Sequence, residues 1–187
     1  MNKYLVYVFI EGRDDKKFCR KVIEPRLKKK YRTIRPWQYQ DSKNITINNL
    51  IKKIHQDGDE YIFLRDKDKP RKIKGVSVRK GCISEIKKDT KVDYPHIDES
   101  RIVLVIRMIE SWYLAGLDDD GLKRIGIEEV IVTTDDIGKG KFKQLKPDRF
   151  SSKIDFMIEI LKNFSIKTAV HKNQSFRYFH DKYLAPR

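Results

Sequence analysis

The sequence predicts an α/β protein, with a mostly parallel sheet flanked by helices and a helical C-terminal extension. Short apolar runs at Tyr4-Leu5-Val6-Tyr7-Val8-Phe9-Ile10, Tyr61-Ile62-Phe63-Leu64 and Ile102-Val103-Leu104-Val105-Ile106 have the length of buried strands and are too short for typical helices. Between the first two lie segments whose apolar residues recur at three- and four-residue spacing. This alternation of strand and helix is the signature of a parallel sheet with right-handed crossovers.

The elements follow in order. Over residues 14–30, Phe18, Val22, Ile23 and Leu27 form one apolar stripe, and Pro25 is expected to shorten or kink that helix. Residues 33–40 read as a second strand. Ile47, Leu50, Ile51 and Ile54 then keep helical spacing until Asp57-Gly58 stops the helix. After the strand at 61–64, residues 67–80 are basic and poor in apolar side chains, which predicts a surface loop leading to a helix over 83–88. Residues 101–108 read as a buried strand running into a short helix over 109–114. Beyond Gly116 the pattern gives helical pieces at 118–124, 153–162 and 174–184. Residues 1–116 are thus expected to form the α/β core and residues 117–187 a helical extension packed on it as one domain.

Charge narrows the function. The 187 residues carry 42 Lys and Arg against 27 Asp and Glu, a net +15 with a pI near 9.7, the footprint expected of a polynucleotide partner, DNA or RNA. No stretch approaches the roughly 20 apolar residues of a membrane span, and the opening apolar run is too short for a signal-peptide core, so the expected compartment is the cytoplasm. Two cysteines, Cys19 and Cys82, exclude a disulfide framework and a four-cysteine zinc ribbon. The four histidines show no metal-ligand spacing.

The chemistry-bearing residues are acidic. Glu11-Gly12 follows the first strand and Asp66-Lys67-Asp68 follows the third, and in open α/β sheets ligands bind beyond the carboxyl ends of strands. Asp66 and Asp68 share a side if the extended geometry persists through Lys67. Asp15, at a helix start, could approach from the same rim, with Asp14 competing as a simple N-cap; Glu110, after the 101–108 strand, completes the set. Crowded carboxylates repel unless a cation neutralises them, and hard oxygen ligands suit Mg²⁺ or Mn²⁺. Arg65 and Lys67 flank these acids, placed to screen them or to offset charge on a phosphate. Three basic segments are candidates for backbone contact: 67–80 with Lys69 and Arg71, the cluster Lys139, Lys141 and Lys143 around Phe142, and 177–187 with Arg177. Trp37, Trp112 and Phe176 fit core packing better than base stacking.

A strand ending in Glu-Gly (Glu11-Gly12), a βα unit, and a later strand ending in Asp-x-Asp (Asp66-Lys67-Asp68) resemble the Toprim family. Glu110-Ser111-Trp112-Tyr113-Leu114 is similar to the acid-aromatic helix start of small stand-alone Toprim proteins and of the related overcoming-lysogenization-defect nucleases. Asn173-Gln174-Ser175-Phe176-Arg177-Tyr178-Phe179 is similar to a Ser-Phe-Arg segment that closes several of those small proteins. The resemblance covers the chain to about Leu114 and then this last segment. It implies a Toprim-like, Rossmann-like sheet and Mg²⁺- or Mn²⁺-dependent hydrolysis of phosphodiesters. For that chemistry the catalytic candidates are Glu11, Asp66 and Asp68, which would hold one or two cations, Glu110, which with Asp15 would complete a second metal position or orient the water, and Lys67, a neighbour that could neutralise transition-state charge. A complete primase or a strand-passing topoisomerase would need domains this chain has no room for. No Gly-x-x-x-x-Gly-Lys-[Ser/Thr] occurs, so an ATPase partner would be a separately encoded chain. A small nuclease is the expectation; a fold-retaining nucleic-acid-binding module is the alternative, and a small-phosphoester enzyme fits the charge poorly.

Overall fold

The computed structural model describes residues 3–67, 71–73, 76–78 and 81–186. Two compact units are present, Met1–Leu104 and Val105–Arg187.

The first unit is a parallel α/β sheet. Strands β1 (Lys3–Ile10), β2 (Tyr31–Gln38), β3 (Glu60–Asp66) and β6 (Ile102–Val105) lie in the order β2-β1-β3-β6, all parallel. β1 pairs with β2 from Lys3↔Tyr31 to Ile10↔Gln38 and with β3 from Val6↔Glu60 to Phe9↔Phe63. The chain leaves β1 for one neighbour and returns to the other, so the strand order reverses at the β1/β3 boundary, where open α/β sheets form their binding crevice. Alternation puts Tyr7 and Phe9, Tyr61 and Phe63, and Ile102 and Leu104 on one face, packed with Ile47, Ile51 and Ile54 of α3 (Asn44–Asp57). Gly58 ends α3 in the left-handed region at φ 68°, where a Cβ would be strained.

The helix after β1 runs further than Pro25 suggests. α1 (Arg13–Phe18) continues through a π turn at Cys19–Ile23 into α2 (Glu24–Leu27). Pro25 has no N–H for the carbonyl one turn back, and the wide turn, closed by the Glu24 N–H on the Cys19 carbonyl, absorbs that loss. Two other expectations change. Within the predicted loop 67–80, β4 (Arg71–Ile73) pairs antiparallel with β5 (Val76–Val78); the β-branched Ile73, Val76 and Val78 favour that ribbon over coil. The strand expected over 101–108 stops at Val105, and Arg107 takes φ 65°, a left-handed geometry uncommon for a side-chain-bearing residue. α4 (Ile83–Asp93) outruns its predicted range and completes the first unit.

The second unit is helical: α5 (Ile109–Ala115), α6 (Asp119–Ile125), α7 (Lys139–Leu145), α8 (Lys153–Lys162), α9 (Ile166–Lys172) and α10 (Gln174–Phe179), which runs into a π turn at His180–Leu184. All seven residues of α5 are buried, making it the central helix. Trp112 packs against Phe176 and Phe179 with both ring centroids 5.2 Å away, and Phe142 meets Phe156 at the same distance. The basic cluster around Phe142 lies on helix α7, with Phe142 as its core anchor. Among the described residues, no helix is long and apolar enough to cross a membrane.

Candidate active site

Three parallel strands bring their carboxyl ends to one edge of the first unit. Glu11 follows β1, Asp66 ends β3, and Tyr39 follows β2 with its N–H held by the Ile10 carbonyl at 2.9 Å. All three are buried, Glu11 and Asp66 to 5 % and 6 % exposure. Glu11 Oε1 accepts the Asp66 backbone N–H at 3.1 Å and the Tyr39 hydroxyl at 3.0 Å, so the side chain of one strand end is tied to the main chain of the other. The Tyr39 oxygen also lies 3.2 Å from the Leu64 carbonyl. Burial, then the negative field of Glu11, pushes the Tyr39 phenol well above its ordinary pKa, which keeps it a proton donor to Glu11.

Asp15, not Asp14, turns inward. Its Oδ2 accepts the Gly12 N–H at 3.1 Å, fixing the turn between Glu11 and α1. Asp14 pairs with Lys17 at 3.5 Å on the half-exposed side. Arg65 is held against α4: its Nη1 donates to Thr90 Oγ1 at 2.7 Å and lies 3.8 Å from Asp93 Oδ2. Lys67 sits half-buried in the turn after β3. Asp68 and Lys69 lie outside the described residues, and Arg71 is described only through its backbone.

Glu110 belongs to the second unit, in the first turn of α5, and is 2 % exposed. Its Oε1 pairs with Lys153 Nζ of α8 at 2.7 Å, while Oε2 is buried with no hydrogen-bond partner among the described residues. The two similar segments at 109–114 and 173–179 meet through Ser175. Its Oγ accepts the Trp112 Nε1–H at 2.8 Å and the Ile106 N–H at 3.1 Å, and donates to Asn173 Oδ1 at 2.8 Å. Arg177 donates to the Val170 carbonyl at 2.9 Å, capping the end of α9. On α7, Lys141 pairs with Glu129 at 2.6 Å, and Lys139 and Lys143 are exposed.

Glu11 and Asp66 thus converge, Asp15 orders the adjoining turn, and among the described residues no group of three or more His, Cys, Asp or Glu is gathered tightly enough to enclose a metal ion. Two buried carboxylates of hard oxygen character still fit one side of an Mg²⁺ or Mn²⁺ shell, since such ions complete their coordination with water and phosphate. Two residues escaped the sequence reading. Tyr39 had a signal, because it lies at the end of a predicted strand on the sheet edge where the acids were placed. Lys153 had none, since it meets Glu110 across 43 residues of sequence. No protein-family model, curated protein or solved structure matches this chain.

Proposed function

We propose that this protein is an Mg²⁺- or Mn²⁺-dependent nuclease of Toprim-like type that hydrolyses phosphodiester bonds of DNA or RNA in the cytoplasm. The observation that carries the reading is the meeting of Glu11 and Asp66 at adjacent strand ends, on the boundary where the strand order reverses, in a chain of net charge +15. A site built only to bind phosphate gains nothing from buried carboxylates; a site that gathers a cation against phosphate needs them. Glu11 and Asp66, with Asp68, would hold the ion. Bound there, it would polarise the scissile phosphate and lower the pKa of an attacking water.

The chain's own residues prepare that position. The Tyr39 hydroxyl and the Asp66 N–H both bond Glu11 Oε1, which fixes that carboxylate at the strand end. Asp15 braces the Gly12 turn so that Glu11 does not swing with the helix that follows.

One observation favours a second reading, a nucleic-acid-binding module that cleaves nothing: a Glu11 carboxylate bonded to two internal donors is also what a structural acid would show. The two readings separate on labelled single- and double-stranded DNA and RNA incubated with Mg²⁺, Mn²⁺ or chelator. The expected result is cation-dependent cleavage lost in Glu11→Ala and Asp66→Ala while binding persists. Cleavage unchanged in excess chelator overturns the metal mechanism, and binding with no cleavage on any substrate establishes the second reading.

A further inference from the structure

The first unit carries a basic surface that lies outside the loop, α7 and C-terminal candidates. Between Arg13 and Arg32 the sequence holds ten Lys and Arg against three acids, a net +7 of the molecule's +15. Within α1 and the π turn, Arg13, Lys16, Lys17, Arg20 and Lys21 follow one another at spacings of three and four, so they share one helix face. The opposite face is the core: Phe18, Cys19, Val22, Ile23 and Leu27 are all buried. The π turn adds a residue to the winding and carries the exposed face on to Lys28 and Lys29, both solvent-facing. Two carboxylates temper this stripe, Asp14 on Lys17 at 3.5 Å and Glu24 on Lys28 at 3.2 Å. Such half-exposed pairs are weak and leave the face strongly positive.

We propose that this face is a track for the sugar–phosphate backbone of a polynucleotide, running along the helical arm from the candidate active site outward. Its direction follows from connectivity: Arg13 begins the arm two residues after Glu11, so a strand with one phosphodiester at Glu11 and Asp66 continues onto the stripe. That placement rests on the nuclease reading; binding along the arm does not. At 1.5 Å per residue, the helical run of residues 13–27 is about 22 Å long, the length of about six base steps of a duplex. The chemistry recognised is repeated phosphate, and the stripe carries no base-reading pattern, so affinity without sequence preference is expected. An anionic membrane would attract the same charge. A surface-binding amphipathic helix, however, needs its apolar face free, and here that face is buried in the fold.

The test uses the full chain in chelator, so that cleavage plays no part, with fluorescence anisotropy on labelled 20-mer duplex and single strand across a salt series. The variant Arg20→Glu/Lys21→Glu/Lys28→Glu/Lys29→Glu is compared with Lys52→Glu/Lys53→Glu/Lys88→Glu/Lys91→Glu, which changes net charge equally on α3 and α4. If the four arm residues each neutralise a phosphate, the log–log salt slope falls by about 3.6 on duplex and about 2.8 on single strand. At low salt Kd should rise on the order of 100-fold, with the α3/α4 variant much less affected. Far-UV circular dichroism and melting verify folding, and the four Gln substitutions at the same positions replace the reversal if it does not fold. Equal losses in both variants, an unchanged slope, or an arm effect seen only on phosphatidylserine vesicles overturns the track. Cleavage that survives in an arm variant with an unchanged slope leaves the nuclease standing without the track. Arm-dependent binding by a wild type that never cleaves leaves the track standing without the nuclease.

Discussion

Burial of neutral acids makes this protein sensitive to alkali at particular residues. Burial pushes the Cys19 thiol up to about 12, and Tyr39 lies well above the usual tyrosine range through burial and its closeness to Glu11. In the unfolded chain these groups release protons near pH 9 and pH 10, while the folded chain holds them. Between pH 9 and 12 the native state therefore binds more protons, and the stability from Cys19, complete below pH 9, is lost as pH rises through about 12. Each group contributes a slope of about 1.4 kcal/mol per pH unit within its window. Urea melts of wild type and Cys19→Ala from pH 8 to 11 should give a shallower decline in the variant above pH 9, whatever the offset from its small cavity. Tyr39→Phe should flatten the decline only above pH 10. At neutral pH it should cost about 1.5–3 kcal/mol, because it removes a buried donor to a carboxylate. A parallel pH profile in either variant would remove that residue from the titration.

Among elements, the junction of α5 with the 173–179 segment should be the most sensitive part of the second unit. Ser175 Oγ satisfies a buried N–H from Trp112 and a partly buried one from Ile106, and Ser175→Ala leaves both without that acceptor. The expected loss is about 1–3 kcal/mol, read as a lowered urea midpoint together with a change in Trp112 fluorescence; a midpoint within error of wild type would show that the network relaxes onto other acceptors. Just past α5, a Cβ at Gly116 would overlap the Phe164 ring, so Gly116→Ala should destabilise by about 1–3 kcal/mol through forced repacking. Phe164→Leu in the same chain should recover part of that loss, and no recovery would locate the strain elsewhere. Periodicity alone marked α5 and the 174–184 helix. It could not mark α9, or show that a lysine-rich stretch is helix α7, because the signal there is one buried aromatic, Phe142, amid charges whose spacing fits several conformations.

For the whole molecule, the divalent ion is expected to act as a stabiliser. A cation that binds only the folded chain adds RT ln(1 + [L]/Kd), about 2.7 kcal/mol at a hundredfold excess over Kd. Asp66→Asn should be at least as stable as wild type in chelator, and its melting temperature should rise less on titration with Mg²⁺ or Mn²⁺ at fixed ionic strength. Identical metal responses in the two proteins would take Asp66 out of the site. The candidate site was legible to unequal depth at this scale. Glu11 and Asp66 could be placed from sequence because each follows a short apolar run, and in a parallel sheet all carboxyl ends share one edge. The sequence by itself determined the α/β class, the strands β1 and β3, the helical C-terminal region and the strand ends bearing acids, since these follow from local periodicity and chain connectivity. Only the tertiary structure decided that the strand order reverses between β1 and β3, that Tyr39 grips Glu11, that Asp15 rather than Asp14 turns inward, and that Lys153 answers Glu110. Each of those is a pairing between residues whose partners no local pattern specifies, selected by which arrangement buries the apolar faces while leaving the buried polar groups bonded.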